Sequence, residues 1–133
     1  MILLVEDNPA DAHIVQEALE EHAVECDLLL IGDGERAIEF VENLDTGDAF
    51  CPSLIILDLN LPRKPGREVL ERLRASLKCS AVPVVVLTSS DSQKDKDDSA
   101  RFGVSAYIKK PSRLADFIQL GSVFKEMVAK RSS

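Results

Sequence analysis

Five short runs of apolar residues divide the chain, and none of them alternates with polar residues. The runs cover residues 2–5, 28–31, 54–57, 84–87 and 106–108. Strands with a continuous apolar sequence are buried on both faces, as in a parallel sheet that helices cover. The runs therefore predict the strands of a covered parallel sheet.

In four of the five segments that follow these runs, residues recur at the spacing of one face of an amphipathic helix. In chain order the stripes are Ala12, Val15, Ala18, Leu19 and His22; Ala37, Ile38, Val41 and Leu44; Val69, Leu70, Leu73 and Leu77; and Leu114, Phe117, Ile118, Phe124 and Val128. Asn8 can cap the first helix, and Pro9 suits its first position. The third helix is expected to begin near Pro65, and the last is expected to begin after Ser112.

The fourth helix is predicted to be weak, because residues 91–101 are nearly all polar. Its apolar anchors are expected to be Ala100 and Phe102. Gly103 would end it in the left-handed conformation. An element with so little apolar surface should have low local stability, which suits a part of the fold that moves.

Repeated alternation of strand and helix predicts an α/β fold of the (βα)5 type, with a doubly wound parallel sheet. Right-handed crossovers leave few topologies. The flavodoxin-like strand order 2-1-3-4-5 is the common five-stranded solution. With 133 residues and no linker, the chain is expected to form one domain, 1–133, without an output domain.

The amino-acid composition of the chain argues against several classes of binding partner. The formal net charge is −7, which argues against nucleic-acid binding, since Lys and Arg must neutralise phosphates. Three cysteines without C-x-x-C spacing favour reduced thiols over a disulfide framework. No apolar stretch has the length of a membrane span, and no signal-peptide pattern is present. We therefore expect a cytoplasmic protein without a membrane or nucleic-acid partner.

Carboxylates follow two of the apolar runs directly: Glu6 and Asp7 follow the first, and Asp58 follows the third. These strands are neighbours in the predicted order, so the acids should meet at one edge of the sheet. Like charges about 4 Å apart repel by several kcal/mol, and a divalent cation relieves that repulsion. An all-oxygen site suits Mg²⁺, with Mn²⁺ as the alternative. A single acid at a strand end is ordinarily a helix cap or a solvated loop residue, but this explanation fits three such acids less well.

Two more polar groups should reach the same edge. Thr88 ends the fourth strand, and Lys110 follows the fifth. Alone, each is an ordinary strand-end or surface residue. A hydroxyl and an ammonium beside a carboxylate cluster are, however, suited to an anionic phosphoryl group.

Four segments together resemble the receiver domain of two-component response regulators. They are residues 5–8 (VEDN), 57–62 (LDLNLP), 86–90 (VLTSS) and 107–111 (YIKKP). The match covers essentially the whole chain, with the motifs in order at strand ends. Within the family, residues 57–66 and the turn-rich connection after the second helix resemble small stand-alone regulators that are often paired with bacterial phytochromes.

The resemblance implies a role for each acidic position. Asp58 would accept a phosphoryl group from a sensor histidine kinase, with a bacterial phytochrome as a candidate. Asp7 would bind Mg²⁺ directly, and Glu6 would assist through water. Asp58 and the backbone carbonyl of Asn60 would complete the protein ligands. The chain would then be a phosphoacceptor that assists its own phosphorylation and dephosphorylation rather than an enzyme acting on other molecules.

The resemblance also implies a switch. Thr88 and Lys110 would each contact a phosphoryl oxygen, and Tyr107 would be the aromatic residue that responds to Thr88. The Lys110–Pro111 peptide would be cis. A downstream protein, not identified by the sequence, would read the result, and a homodimer could form through helix 4, strand 5 and helix 5. One departure from the family is Pro65, where Asp or Asn is common.

Three alternatives compete with this interpretation. A phosphatase of the haloacid-dehalogenase kind also uses a strand-end aspartate, but it needs a second Asp where this chain has Asn60. A flavin-binding module needs a Ser- and Gly-rich phosphate loop after the first strand, where the chain is acidic. A receiver-like module that binds partners without phosphorylation is disfavoured by the complete site.

Overall fold

The computed structural model describes the backbone of residues 1–132 and the side chains of residues 1–129. Its strands are β1 (Ile2–Val5), β2 (Leu28–Ile31), β3 (Leu54–Leu57), β4 (Val84–Thr88) and β5 (Ala106–Lys109). Its helices are α1 (Pro9–Glu21), α2 (Gly34–Thr46), α3 (Gly66–Arg74), α4 (Gln93–Arg101), α5 (Leu114–Gln119) and α6 (Gly121–Ser132).

The strands form one parallel sheet in the order β2-β1-β3-β4-β5, which confirms the predicted topology. In the register of the central pair, Val5 lies opposite Leu57. β1, β3 and β4 are buried along their whole length, whereas the edge strand β2 leaves Leu30 half exposed. The register places the residues that follow β1 and β3 side by side at the carboxyl edge.

Two hydrophobic clusters cover the two faces of the sheet. One contains the buried faces of α2 and α3, with Phe102 packed against it from the end of α4. The other contains the buried faces of α1, α5 and α6, with Phe117 and Phe124 as its aromatic members. This three-layer arrangement explains why the strand sequences are apolar without alternation. Within residues 1–132, no helix combines the length and the apolar character needed to cross a membrane.

The last helical segment is divided at Leu120, where α5 stops and α6 begins. A Cβ atom at Gly121 would lie 2.3 Å from the backbone oxygen of Ala18 and 2.3 Å from Cδ2 of His22. Glycine therefore allows α6 to approach the end of α1 closely.

Three expectations about helix anchors were wrong. Leu77 lies beyond α3, which ends at Arg74, and it is 84% exposed. Hydrogen bonds from Ser76 and Lys78 to Asp45 hold the chain in a turn there. Leu114, the first residue of α5, is 58% exposed, and Ala100 on α4 is exposed as well.

The inward-facing residues of α4 are polar. Asp98 and Ser99 are buried, and Asp98 forms an ion pair with Arg101. Phe102 supplies the apolar contact from the residue after the helix, and Gly103 adopts a φ of 65°, as expected.

The expectation of three reduced thiols was also wrong. Cys51 and Cys79 form a disulfide with their Cα atoms 5.6 Å apart, and Cys26 is free. Cys51 lies in the connection that enters β3, and Cys79 lies in the connection that enters β4. Because β3 and β4 are parallel neighbours, these connections meet at the amino edge of the sheet, a proximity that the cysteine spacing does not reveal.

Candidate functional site

Three carboxylates converge at the carboxyl edge of the sheet. Glu6 and Asp7 follow β1, Asp58 follows β3, and one ligand oxygen from each lies within 4.8 Å of the others. Glu6 is 3% exposed and Asp58 is 5% exposed, whereas Asp7 is open to solvent. The backbone N–H of Asp58 donates to the carbonyl of Val5 at 3.0 Å, which ties the two strand ends together.

Lys110 brings a positive charge into this cluster. Its Nζ lies 2.7 Å from Oε1 of Glu6, 2.9 Å from Oδ2 of Asp58 and 2.8 Å from Oδ2 of Asp11. Its backbone N–H donates to the carbonyl of Thr88 at 2.8 Å, which fixes the lysine beside β4. The neighbouring Lys109 is exposed and faces Asp91. Successive side chains of a strand point to opposite faces, so only one of the two lysines enters the site.

Thr88 and Asn60 complete the surroundings of Asp58. Thr88 is fully buried, and its hydroxyl accepts a hydrogen bond of 3.4 Å from the backbone N–H of Ser90. The backbone N–H of Asn60 donates to Oδ1 of Asp58 at 3.0 Å. A Cβ atom at Gly66 would lie 2.5 Å from the carbonyl oxygen of Asp58, so glycine lets α3 begin directly against the site.

Comparison with known proteins agrees with this geometry. The family model described as response regulator receiver domain matches residues 2–120. The chain belongs to the response regulator receiver family. This assignment decides against the phosphatase and flavin-binding alternatives.

The similar proteins include a curated relative and two solved structures. Response regulator Rcp1 of Synechocystis sp. is 38% identical, with 90% of this chain and 82% of that protein covered. The phosphorylated cyanobacterial phytochrome response regulator RcpA has a TM-score of 0.87 at 35% identity, covering 99% of this chain and 95% of that one. The Mn²⁺-bound form of Rcp1 has a TM-score of 0.83 at 36% identity, covering 94% and 91%.

The acidic cluster of this receiver fits a divalent cation. All of its donors are carboxylate oxygens, the ligands that Mg²⁺ and Mn²⁺ prefer. Lys110 contacts two of the three carboxylates, so the cluster already contains a partial charge balance. Glu6, Asp7 and Asp58 are the residues that would hold the ion.

Burial changes the proton affinity of this cluster. The pKa of Glu6 is raised to about 7, because desolvation by burial and the nearby charge of Asp58 outweigh the opposing hydrogen bond from Lys110. Burial acts to lower the pKa of Lys110. Hydrogen bonds to Asp11, Glu6 and Asp58 outweigh that effect, and the pKa of Lys110 is raised. The lysine is therefore charged at neutral pH.

Titration of Glu6 should follow from this burial. In the metal-free receiver, carboxyl ¹³C NMR is expected to show a midpoint near 7 for Glu6, and saturating Mg²⁺ should lower that midpoint. The raised pKa means that the contribution of protonated Glu6 to stability is fully present below pH 4.5 and is lost as the pH rises through about 7. Glu6→Gln removes the signal and so assigns it. A midpoint close to 4.5 without metal would contradict the burial argument.

Tyr107, the predicted switch residue, lies on β5 opposite Val86. Its ring is half-buried and packs on the α2–α3 side of the sheet. Its hydroxyl donates to the backbone carbonyl of Ser90 at 2.9 Å. The ring is thus linked to the segment that joins Thr88 to α4.

The expectation of a cis peptide between Lys110 and Pro111 was wrong. Among residues 1–132 no peptide bond is cis, so this bond is trans. The trans form is the preferred state of an X-Pro bond. The side chain of Lys110 reaches Glu6 and Asp58 from this backbone.

Sequence reasoning missed Asp11 as a member of the site. It lies in the first turn of α1, where an acidic residue is ordinarily explained by the helix dipole. Its contact with Lys110 joins positions 99 residues apart. The one signal in the sequence was the position of Asp11, an acidic residue that follows Asp7 by about one helical turn, on the helix that begins beside the site.

Proposed function

We propose that this receiver accepts a phosphoryl group on Asp58 from a histidine kinase and switches a partner-binding surface. The observation that carries the proposal is the contact of 2.9 Å between Nζ of Lys110 and Oδ2 of Asp58, beside the carboxylates of Glu6 and Asp7. A buried nucleophilic carboxylate, a cation site and a fixed ammonium are the parts that phosphoryl transfer requires.

Transfer would form one bond and break another. A carboxylate oxygen of Asp58 attacks phosphorus, the bond from phosphorus to the donor's imidazole nitrogen breaks, and that nitrogen keeps the electron pair and takes a proton from solvent. A divalent cation held by Glu6, Asp7, Asp58 and the carbonyl of Asn60 would supply positive charge beside the phosphoryl oxygens. Later attack by water on phosphorus would restore the Asp58 carboxylate and release phosphate.

The side chains around Asp58 orient and neutralise the group. The ammonium of Lys110 can donate to one phosphoryl oxygen in place of its present bond to Asp58. The hydroxyl of Thr88 can donate to another, since it acts as an acceptor in its hydrogen bond with the backbone N–H of Ser90 and its own proton remains to be donated. The ammonium of Lys110 is held by three carboxylates before transfer, so little reorganisation is required of it.

The switch would run from Thr88 through Tyr107 to α4. Movement of the Thr88 hydroxyl toward the phosphoryl group would change the space next to Tyr107. The hydrogen bond from the Tyr107 hydroxyl to the carbonyl of Ser90 would then break. α4 joins this segment and packs mainly through Asp98, Ser99 and the following Phe102. A helix with so small an apolar contact can shift at modest cost.

The partners follow from the same role. The kinase is proposed to be a histidine kinase of the phytochrome class, because the similar proteins Rcp1 and RcpA include a phytochrome response regulator. We further propose that residues 1–133 act as one cytoplasmic receiver domain, that a downstream protein reads the switched surface, and that two copies pair through α4, β5 and α5.

Phosphotransfer from a kinase tests the proposal. A purified phytochrome histidine kinase, autophosphorylated with radiolabelled ATP and freed of nucleotide, is mixed with the receiver and Mg²⁺. Label is expected to move to wild type and not to Asp58→Asn. Retention of all label on several active phytochrome kinases would contradict that class of partner, whereas labelling of Asp58→Asn would contradict the acceptor residue.

A further inference from the structure

Lys110 has an unusual set of partners. An ammonium has three protons to donate, and Nζ has three carboxylate partners, Glu6, Asp11 and Asp58. Two of these acids belong to the cation cluster, whereas Asp11 does not. Asp11 comes from α1 and is 23% exposed, so it reaches the lysine from the outer side of the pocket.

The partners differ in what phosphorylation does to them. The carboxyl group of Asp58 loses its negative charge on phosphorylation, because one of its oxygens becomes bonded to phosphorus. Glu6 belongs to the cluster that would hold the cation. Asp11 lies outside that cluster, so its carboxylate would keep its full charge and remain available to Lys110 in the phosphorylated state.

The side chain of Lys110 lies next to open space into which it can move. A cavity of about 350 Å³ lies beside it, lined by Asp11, Ile14, Ser89, Arg113 and Lys110 itself. A long lysine side chain without an anchor gains rotamer entropy by moving into such a space. The contact with Asp11 at 2.8 Å opposes this movement.

We propose that Asp11 is a positioning residue, which acts through Lys110 by holding its ammonium within reach of the phosphoryl group. The inference rests on the proposed function and deepens it, since it adds a residue of α1 to the machinery that neutralises the phosphoryl oxygens. Because Asp11 lies outside the carboxylate cluster, it would act through Lys110 without binding the phosphoryl group or the cation itself.

A double-mutant cycle on beryllofluoride binding tests the inference. Beryllofluoride with saturating Mg²⁺ serves as the phosphoryl probe, and isothermal titration calorimetry gives its affinity for each variant. Asp11→Asn is expected to weaken binding about 10-fold, the size of a lost charge-assisted hydrogen bond. In the Lys110→Ala background, Asp11→Asn should cause no further loss, because its effect passes through the lysine.

Two more variants separate positioning from structure. Glu35→Gln removes an exposed acid from the first turn of α2 and is the matched control for a helix-dipole effect; it should bind as wild type does. Asp11→Glu keeps the charge and should recover part of the lost affinity. Equal weakening by Asp11→Asn in both backgrounds would show a structural role and overturn the inference.

The same titrations separate this inference from the proposed function. Wild type that binds beryllofluoride, together with Asp11→Asn that binds equally well, overturns the inference alone. Folded wild type that binds no beryllofluoride overturns the proposed function, and the role of Asp11 falls with it.

Discussion

Lys110→Ala is expected to slow phosphorylation of Asp58 by small phosphodonors about 100-fold, the usual effect of removing one preorganised donor from a transferring group. The ammonium lies 2.9 Å from Asp58 and is held by two further carboxylates, so its charge is in place before the donor arrives. Alanine leaves the cluster with uncompensated negative charge, which repels an incoming phosphoryl group. Divalent-cation affinity should be maintained or increased, because a competing positive charge has been removed.

The neighbouring lysine is a matched control for this effect. Lys109 is exposed and pairs only loosely with Asp91, at 4.0 Å. Lys109→Ala removes the same charge from the chain without touching the site, and its labelling rate should match that of wild type. Rates are measured by intact mass over time with Mg²⁺ at saturation for each variant. A Lys110→Ala protein that labels as fast as the Lys109→Ala protein would contradict the role given to the ammonium.

Reduction of the disulfide between Cys51 and Cys79 is expected to lower the free energy of unfolding by about 2–4 kcal/mol. The bond closes a loop across a separation of 28 residues and so restricts the unfolded chain. For a domain of this size the loss corresponds to a decrease in Tm of about 10 °C. After reduction, Nζ of Lys78 would still donate to the carbonyls of Gly47 and Ala49 in the connection that contains Cys51. This connection should therefore stay folded below the unfolding transition.

Thiol counting and melting curves check this effect together. Alkylation of the unfolded protein should modify one cysteine before reduction and three after it. Cys51→Ser should melt as the reduced wild type does, and it is the preferred variant because Cys79 is fully buried. Cys26→Ser, which leaves the disulfide intact, is the control. Three reactive thiols in protein purified without reductant would contradict the bond.

The sheet and the site could be predicted because their signals are local. Continuous apolar runs mark buried parallel strands, and the carboxylates of Glu6, Asp7 and Asp58 stand directly after two of those runs. Once the strand order is known, their convergence follows from parallel pairing. Strand alternation allows only one of Lys109 and Lys110 to face the site, and the resemblance to the receiver family selects the lysine before the proline. The structure places that residue, Lys110, in the site.

The features that were missed depend on contacts between distant parts of the chain. The disulfide joins two connections whose proximity follows only from the adjacency of β3 and β4. The turn at Leu77 is fixed by hydrogen bonds to Asp45 on α2, about 30 residues away in the chain. The contact of Asp11 with Lys110 spans nearly the whole sequence. None of these pairings leaves a periodic pattern.

The fourth helix was misjudged for a different reason. Its buried positions are Asp98 and Ser99 rather than a hydrophobic stripe, and the charge of Asp98 is balanced by Arg101 and Arg67. A buried, paired carboxylate gives no signal in a hydropathy pattern. The prediction of a weakly anchored helix nevertheless agrees with a structure in which the main apolar contact comes from Phe102.

The measurement that tests the central claim most directly is intact-mass analysis after incubation with a small phosphodonor and Mg²⁺, with wild type and Asp58→Asn compared side by side. The account predicts a phosphoryl adduct on wild type that requires the divalent cation, disappears with chelator and does not form on Asp58→Asn. Folded wild type that remains unmodified, or an adduct that persists in Asp58→Asn, would contradict the assignment of Asp58 as the phosphoacceptor.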